Sequence, residues 1–165
     1  MRMLVFARRN AKEILRDPVN LGFGLGFPLA LLLLLWAIDR NVPVSIMPIQ
    51  RLAPGISMFG LSFISLFSAT LISRDRGSSF LARLFSSPLT AGDFILGYAL
   101  PLLPMCVVQS LLCYLLALVL GLEAGWELLP AMAVLLPADI FFIGVGLLCG
   151  SVFSDKQVGG VCGAL

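Results

Sequence analysis

Four long runs of apolar residues dominate the chain, and short polar segments separate them. The runs cover residues 19–38, 53–73, 94–120 and 128–153. A helix of about 20 apolar residues is long enough to cross the ~30 Å hydrocarbon core of a bilayer. The pattern therefore predicts an all-α fold, a polytopic transmembrane helical bundle with four complete spans in one domain over residues 1–165.

Details within the runs refine this prediction. The third run is long for one span, and Pro101 and Pro104 inside it are expected to let it tilt or kink. A fifth run begins at Gln157 and is only nine residues long at Leu165, so we expect a fragment of a longer protein. Small residues in the first two runs should allow helices to approach closely. They are Gly22, Gly24, Gly26, Ser57, Gly60, Ser65 and Ser68.

The N-terminal segment, residues 1–17, has the periodicity of an amphipathic helix. Its apolar residues recur at spacings of three and four, at Leu4, Ala7, Ala11, Ile14 and Leu15. The cations Arg8, Lys12 and Arg16 recur every fourth residue. Pro18 should end the helix, because a residue before proline disfavours the helical conformation. We expect an interface helix with its basic face toward anionic lipid headgroups, and a solvated basic tail is the alternative.

Composition supports an integral membrane protein and argues against catalysis. The chain is 59% hydrophobic and 12% charged, whereas soluble domains carry about 25% charged residues. It contains no histidine, and its four cysteines lie in apolar runs without a CxxC pair, which argues against a zinc site or disulfide framework. It also lacks the GxxxxGK[ST] loop that cradles nucleotide phosphates. We therefore expect no enzyme activity, no bound metal or cofactor and no nucleic-acid partner.

The distribution of Lys and Arg predicts the orientation in the membrane. Five lie in the N-terminal segment, three in the polar segment 74–93 and one in the turn 155–156. The segments that would face the other side carry two, Arg40 and Arg51. Because cytoplasmic loops are enriched in Lys and Arg, the N-terminus and the 74–93 loop are expected to be cytoplasmic. The corresponding location is the plasma membrane, which in bacteria is the inner membrane.

The 74–93 loop is the longest polar segment between apolar runs, and it carries its own helical pattern. Four apolar residues share one face of a short helix: Phe80, Leu81, Leu84 and Phe85. The residues Thr90 to Asp93 form a capping-box pattern that would start the third span. A short helix held rigidly between two spans would move both spans when a partner pushes on it. An ordinary connecting loop with an interfacial helix is the alternative.

Four features of this chain resemble the type 2 permease family, the membrane subunits of ATP-binding-cassette exporters. They are the basic helix 9–18, the segment 74–89, Gly97, and the glycine-rich stretch 144–150. The segment 74–89 is similar to the family's acidic-x-Gly-Thr…Leu-Leu-x-Ser-Pro-Leu loop. Asp75 and Ser78 stand where the family more often has Glu and Thr.

The resemblance implies a fold of about six spans and a mechanism driven by another chain. The 74–93 loop would be a coupling loop that docks on a cytoplasmic ATPase subunit, which would bind ATP and Mg itself. A second permease subunit, identical or different, would complete the translocation path. The N-terminal helix would also meet the ATPase. The implied coupling residues are Asp75, Arg76, Gly77, Ser78, Leu81, Leu84 and Phe85.

Asp139 is the remaining candidate for function, because it lies well inside the fourth run. A carboxylate at that depth costs about 2.5–3.5 kcal/mol on insertion scales, so it should face the bundle or a cavity. It is either a translocation-path or gating residue, or a packing carboxylate that is protonated or hydrogen-bonded.

Two functions other than transport remain open from the residues alone. One is a non-transporting membrane scaffold or assembly factor whose loop binds a soluble partner. The other is an intramembrane lipid-modifying enzyme, which would need clustered polar residues within the spans. The transported substrate is not indicated by any motif.

Overall fold

The computed structural model describes residues 2–43, 47–78, 90–126 and 128–162. This part of the chain is helical and contains no strand, which confirms the all-α prediction. The helices are α1 (Arg2–Leu15), α2 (Pro18–Arg40), α3 (Ile49–Gly77), α4 (Ala91–Val119), α5 (Leu128–Val152) and α6 (Asp155–Cys162). Four of them, α2 to α5, are long and apolar enough to cross a membrane.

Two helix ends are set by side chains next to polar segments. Thr90 and Asp93 form the expected capping box, in which each side chain accepts a hydrogen bond from the other residue's backbone N–H. Helix α3 continues through Arg74 to Gly77, so the first four residues of the expected 74–93 loop are helical. The apolar run stops before these residues, but their polar side chains find partners on neighbouring helices.

Helix α3 is the central element, packed against α2, α4, α5 and α6. Its closest neighbour is α5, where Gly146 and Gly150 lie directly against the α3 backbone at Ser65 and Ala69. The Ser68 hydroxyl on α3 donates a hydrogen bond to the Ile143 carbonyl of α5 at 3.1 Å. The small residues of α3 thus form a packing face, as their spacing predicts.

Helix α2 lies at the edge of the bundle and contains a π-helical turn at Gly22–Gly26. Gly24 packs against the side chains of Phe67 and Met105. Gly22 and Gly26 have open space where a Cβ would stand. Of the three glycines expected to bring helices together, only Gly24 does so within the described part of the chain.

The buried apolar side chains form two main clusters along the bundle. The cluster nearer α1 includes Leu61, Ile64, Leu102, Cys106 and Ile143. The cluster at the other end includes Leu32, Ile56, Tyr114, Ala117 and Leu135. Helices α3, α4 and α5 contribute to both clusters, and polar or small residues lie where they pass from one cluster to the next.

Candidate functional site: a polar junction at the end of α3

The last turn of α3 before Gly77 is a junction between helices. Four consecutive residues, Ser73 to Arg76, each bond to a different set of neighbouring elements. We call these four residues the α3 junction. Its last three residues are the first residues of the 74–93 segment, which the family resemblance implies is a coupling loop.

Asp75 is the buried centre of the junction and joins three helices. Both of its carboxylate oxygens accept hydrogen bonds from the Arg9 guanidinium of α1, each at 3.1 Å. One of them also accepts the Tyr98 hydroxyl of α4 at 2.6 Å. Asp75 is only 4% exposed. A two-pronged, charge-assisted contact of this kind fixes orientation as well as distance, so α1 is held to α3 in one geometry.

Arg9 keeps its positive charge in this environment. Burial opposes the charged form, but the hydrogen bond to Asp75 and the attraction of that carboxylate raise the pKa of Arg9 above its ordinary value. Arg9 also pairs with Glu13 one turn along α1, at 3.2 Å. The guanidinium therefore bridges a buried carboxylate and an exposed one.

Helix α1 is seated by a close contact with α4. The buried Asn10 donates a hydrogen bond from its amide nitrogen to the Gly97 carbonyl at 3.0 Å. The ring of Phe6 lies where a side chain at residue 97 would stand, and it packs edge-on against Tyr98. Glycine at position 97 thus lets α1 approach α4 closely enough for Arg9 to reach Asp75.

The other junction residues bind the starts of α2 and α6 and the end of α5. Arg74 pairs with Asp17, the N-cap of α2, at 3.3 Å, and Ser73 donates to Asp155, the first residue of α6, at 3.2 Å. Arg76 donates to the Gly150 carbonyl at 3.1 Å, in the last turn of α5. A cation at a helix C-terminus is favourable because the last carbonyls lack helical partners.

The coupling residues that the family resemblance implies differ in their burial. Asp75 is buried within the bundle, whereas Arg76, Gly77 and Ser78 are exposed. The expected positions Leu81, Leu84 and Phe85 lie outside the described residues, as does most of the 74–93 loop. Asp139 is separate from the junction and is buried at 1% exposure, as its depth in the run predicts.

Three contributors to the junction were missed from the sequence: Arg9, Asn10 and Tyr98. A usable signal exists for Arg9, because it breaks the every-fourth spacing of Arg8, Lys12 and Arg16. It therefore points to a different side of α1 from the solvated cations. Tyr98 offers no such signal, since a tyrosine near a span end is also typical of a membrane interface.

The arrangement is suited to holding helices together. The hydroxyls of the junction have no histidine to act as a base, since the chain contains none. Across the described ranges, no group of three or more Cys, Asp or Glu residues is placed to hold a metal ion. A displacement of the α3 end would act on α1, α4, α5 and the starts of α2 and α6 together.

Comparison with known proteins agrees with this architecture. The family model described as ABC-2 type transporter matches residues 1–165. No curated protein and no solved structure matches the chain. Since the family match covers every residue, this integral membrane protein belongs to the ABC-2 type transporter family, the type 2 permeases of ATP-binding-cassette transporters.

Proposed function

We propose that this chain is the membrane-spanning permease subunit of an ATP-binding-cassette exporter. It forms the translocation path together with a second permease subunit, and a separate cytoplasmic ATPase subunit drives it. ATP and Mg bind to that ATPase. The protein lies in the plasma membrane, the inner membrane in bacteria, with its N-terminus in the cytoplasm.

The observation that carries this proposal is the α3 junction and its place in the chain. The junction overlaps the start of the 74–93 loop, which by family resemblance docks on the ATPase. Because the loop continues the chain from α3, force applied to it acts on the end of α3. Because Asp75 is bonded to both Arg9 and Tyr98, the same force moves α1 and α4.

Charge supports the proposed side of the membrane. Among the described residues, eight of the ten Lys and Arg residues lie at the end that carries the junction, and Arg40 and Arg51 lie at the other end. This bias supports a cytoplasmic position for the junction end, on the side where an ATPase subunit would bind. The junction and its charged partners are then at the correct membrane face to receive a soluble partner.

Replacing Leu84 by aspartate tests whether the loop docks on an ATPase. We expect Leu84→Asp to abolish co-purification of the ATPase encoded beside the full-length gene, because a charge would enter an apolar contact. Val42→Asp, at the opposite end of the bundle, is the matched control and should leave co-purification unchanged. The readouts are the ratio of the two subunits after affinity purification and the ATP hydrolysis rate of the complex.

Two results would overturn the proposal. One is an ATPase that co-purifies equally with wild type, Leu84→Asp and Val42→Asp, which would show that the loop is not the docking element. The other is the absence of any ATPase partner for the wild-type protein. That second result would favour a membrane scaffold.

A further inference from the structure

A buried polar layer crosses the middle of the bundle between the two apolar clusters. On α5, Asp139 lies one turn from Leu135 of one cluster and one turn from Ile143 of the other. On α4, Ser110 lies one turn from Cys106 and one turn from Tyr114 in the same way. Residues four apart share a helix face, so each polar residue interrupts an otherwise apolar stripe at the same level.

Helix α3 meets this layer through small residues. Ser57 and Gly60 lie between Ile56 of one cluster and Leu61 of the other. The Gln109 side chain of α4 fills the space that Gly60 leaves, and its amide nitrogen donates to the Ser57 carbonyl at 3.4 Å. The amide of Gln109 is therefore held with its nitrogen toward α3.

Three oxygen atoms in the layer have no hydrogen-bond partner among the described residues. They are Oε1 of Gln109, Oγ of Ser110 and Oδ1 of Asp139. The three side chains are at most 3% exposed. Most buried polar atoms in proteins have a partner, so three unpaired oxygens at one level need a partner that the described residues do not supply. Helices α4 and α5 pack against each other, with Cys106 and Ile143 in one cluster and Tyr114 and Leu135 in the other, so Ser110 and Asp139 lie on adjoining helices at one level.

The charge of the layer indicates what kind of ligand it would take. Asp139 is an acid, and among the described residues every Lys and Arg lies on α1, in the turn that follows it, or in the first or last turn of another helix. A carboxylate buried at this depth is costly unless a bound proton or another positive charge compensates it. Carboxylate, amide and hydroxyl oxygens are the ligands that hard cations prefer. A single positive charge would make the layer neutral, whereas a divalent ion would leave an excess.

We propose that the layer is a binding site for one alkali-metal cation. The carboxylate of Asp139 is the charged ligand, and the oxygens of Gln109 and Ser110 are neutral ligands. The ion stabilises the packing of α3, α4 and α5 in the layer between the two apolar clusters. The site is enclosed within the subunit, so this proposal stands independently of the exporter and ATPase assignments.

The test uses full-length protein and Na⁺ as the probe. The first measurement is equilibrium binding of radiolabelled Na⁺. The second is the thermal unfolding midpoint, compared between NaCl and choline chloride at equal ionic strength. We expect saturable Na⁺ binding and a higher midpoint in NaCl. Asp139→Asn should abolish both, and Ser110→Ala should weaken both.

Ser65→Ala is the matched control, because Ser65 is also a buried hydroxyl without a partner among the described residues but lies at the level of Gly146. It should leave Na⁺ binding unchanged. Absence of saturable binding in wild type would overturn the proposal, as would binding that survives Asp139→Asn. A midpoint that follows pH but not Na⁺ would assign the positive charge to a proton and would equally overturn it.

Discussion

Replacing Asp75 by alanine should lower the free energy of unfolding by about 3 kcal/mol. Removing one partner of a buried ion pair costs roughly 3–5 kcal/mol because the other charge is left uncompensated. The lower end applies here, since the Arg9 side chain is 38% exposed and water screens part of its charge. The substitution also leaves the buried Tyr98 hydroxyl without its acceptor. Reversible unfolding in mixed micelles measures the effect.

Glu13→Ala is the matched control for this prediction, because Glu13 contacts the same guanidinium. That pair is exposed on both sides, at 38% and 39%, and residues four apart on a helix surface gain little from pairing. The expected loss is below about 0.5 kcal/mol. Equal losses for Asp75→Ala and Glu13→Ala would show that the buried contact does not hold α1 in place.

Replacing Gly146 by alanine should lower the free energy of unfolding by about 2–3 kcal/mol. A Cβ at this position would overlap the Ser65 backbone carbonyl of α3, and a helix backbone cannot move aside as a flexible side chain can. Overpacking of a tightly packed interior typically costs about 1–3 kcal/mol, and a backbone clash belongs at the upper end. The measurement is the same unfolding experiment.

Gly144→Ala offers a control two residues away on the same helix. A Cβ there meets open space, so the substitution should be neutral or stabilising by up to about 1 kcal/mol through higher helix propensity. Equal losses of stability in the two alanine variants would show that Gly146 is not needed for the close contact between α3 and α5.

The bundle follows directly from the sequence because hydrocarbon thickness dictates helix length. Each of the four apolar runs corresponds to a helix long enough to span, and the capping box at Thr90 was recognisable from residue type and spacing. The end of α3 was not predicted, because the charges of Arg74 to Arg76 end the hydropathy run. Those charges are accommodated in the helix by partners distant in sequence, such as Arg9, 66 residues from Asp75.

Only part of the candidate site could be predicted from the sequence. Asp75 and Arg76 were implied by family resemblance as surface contacts with an ATPase, and whether they touch one is untested. Burial of Asp75 against Tyr98 depends on how α1 and α4 cross, which local patterns do not encode. The polar layer could have been predicted from the sequence, because Asp139 and Ser110 each interrupt an apolar stripe whose residues are spaced four apart.

Hydrogen exchange in the assembled complex tests most directly whether the α3 junction transmits force from an ATPase. In wild type, adding ATP should change amide exchange in α1 and in the last turn of α3 together. Arg8→Gln, an exposed neighbour, should behave the same way, whereas Arg9→Gln should reduce the change in α1, which stays linked to α4 through Asn10 and Gly97. A wild-type complex with no ATP-dependent change at the junction, or an α1 response of the same size in Arg9→Gln as in wild type, would contradict force transmission through the junction.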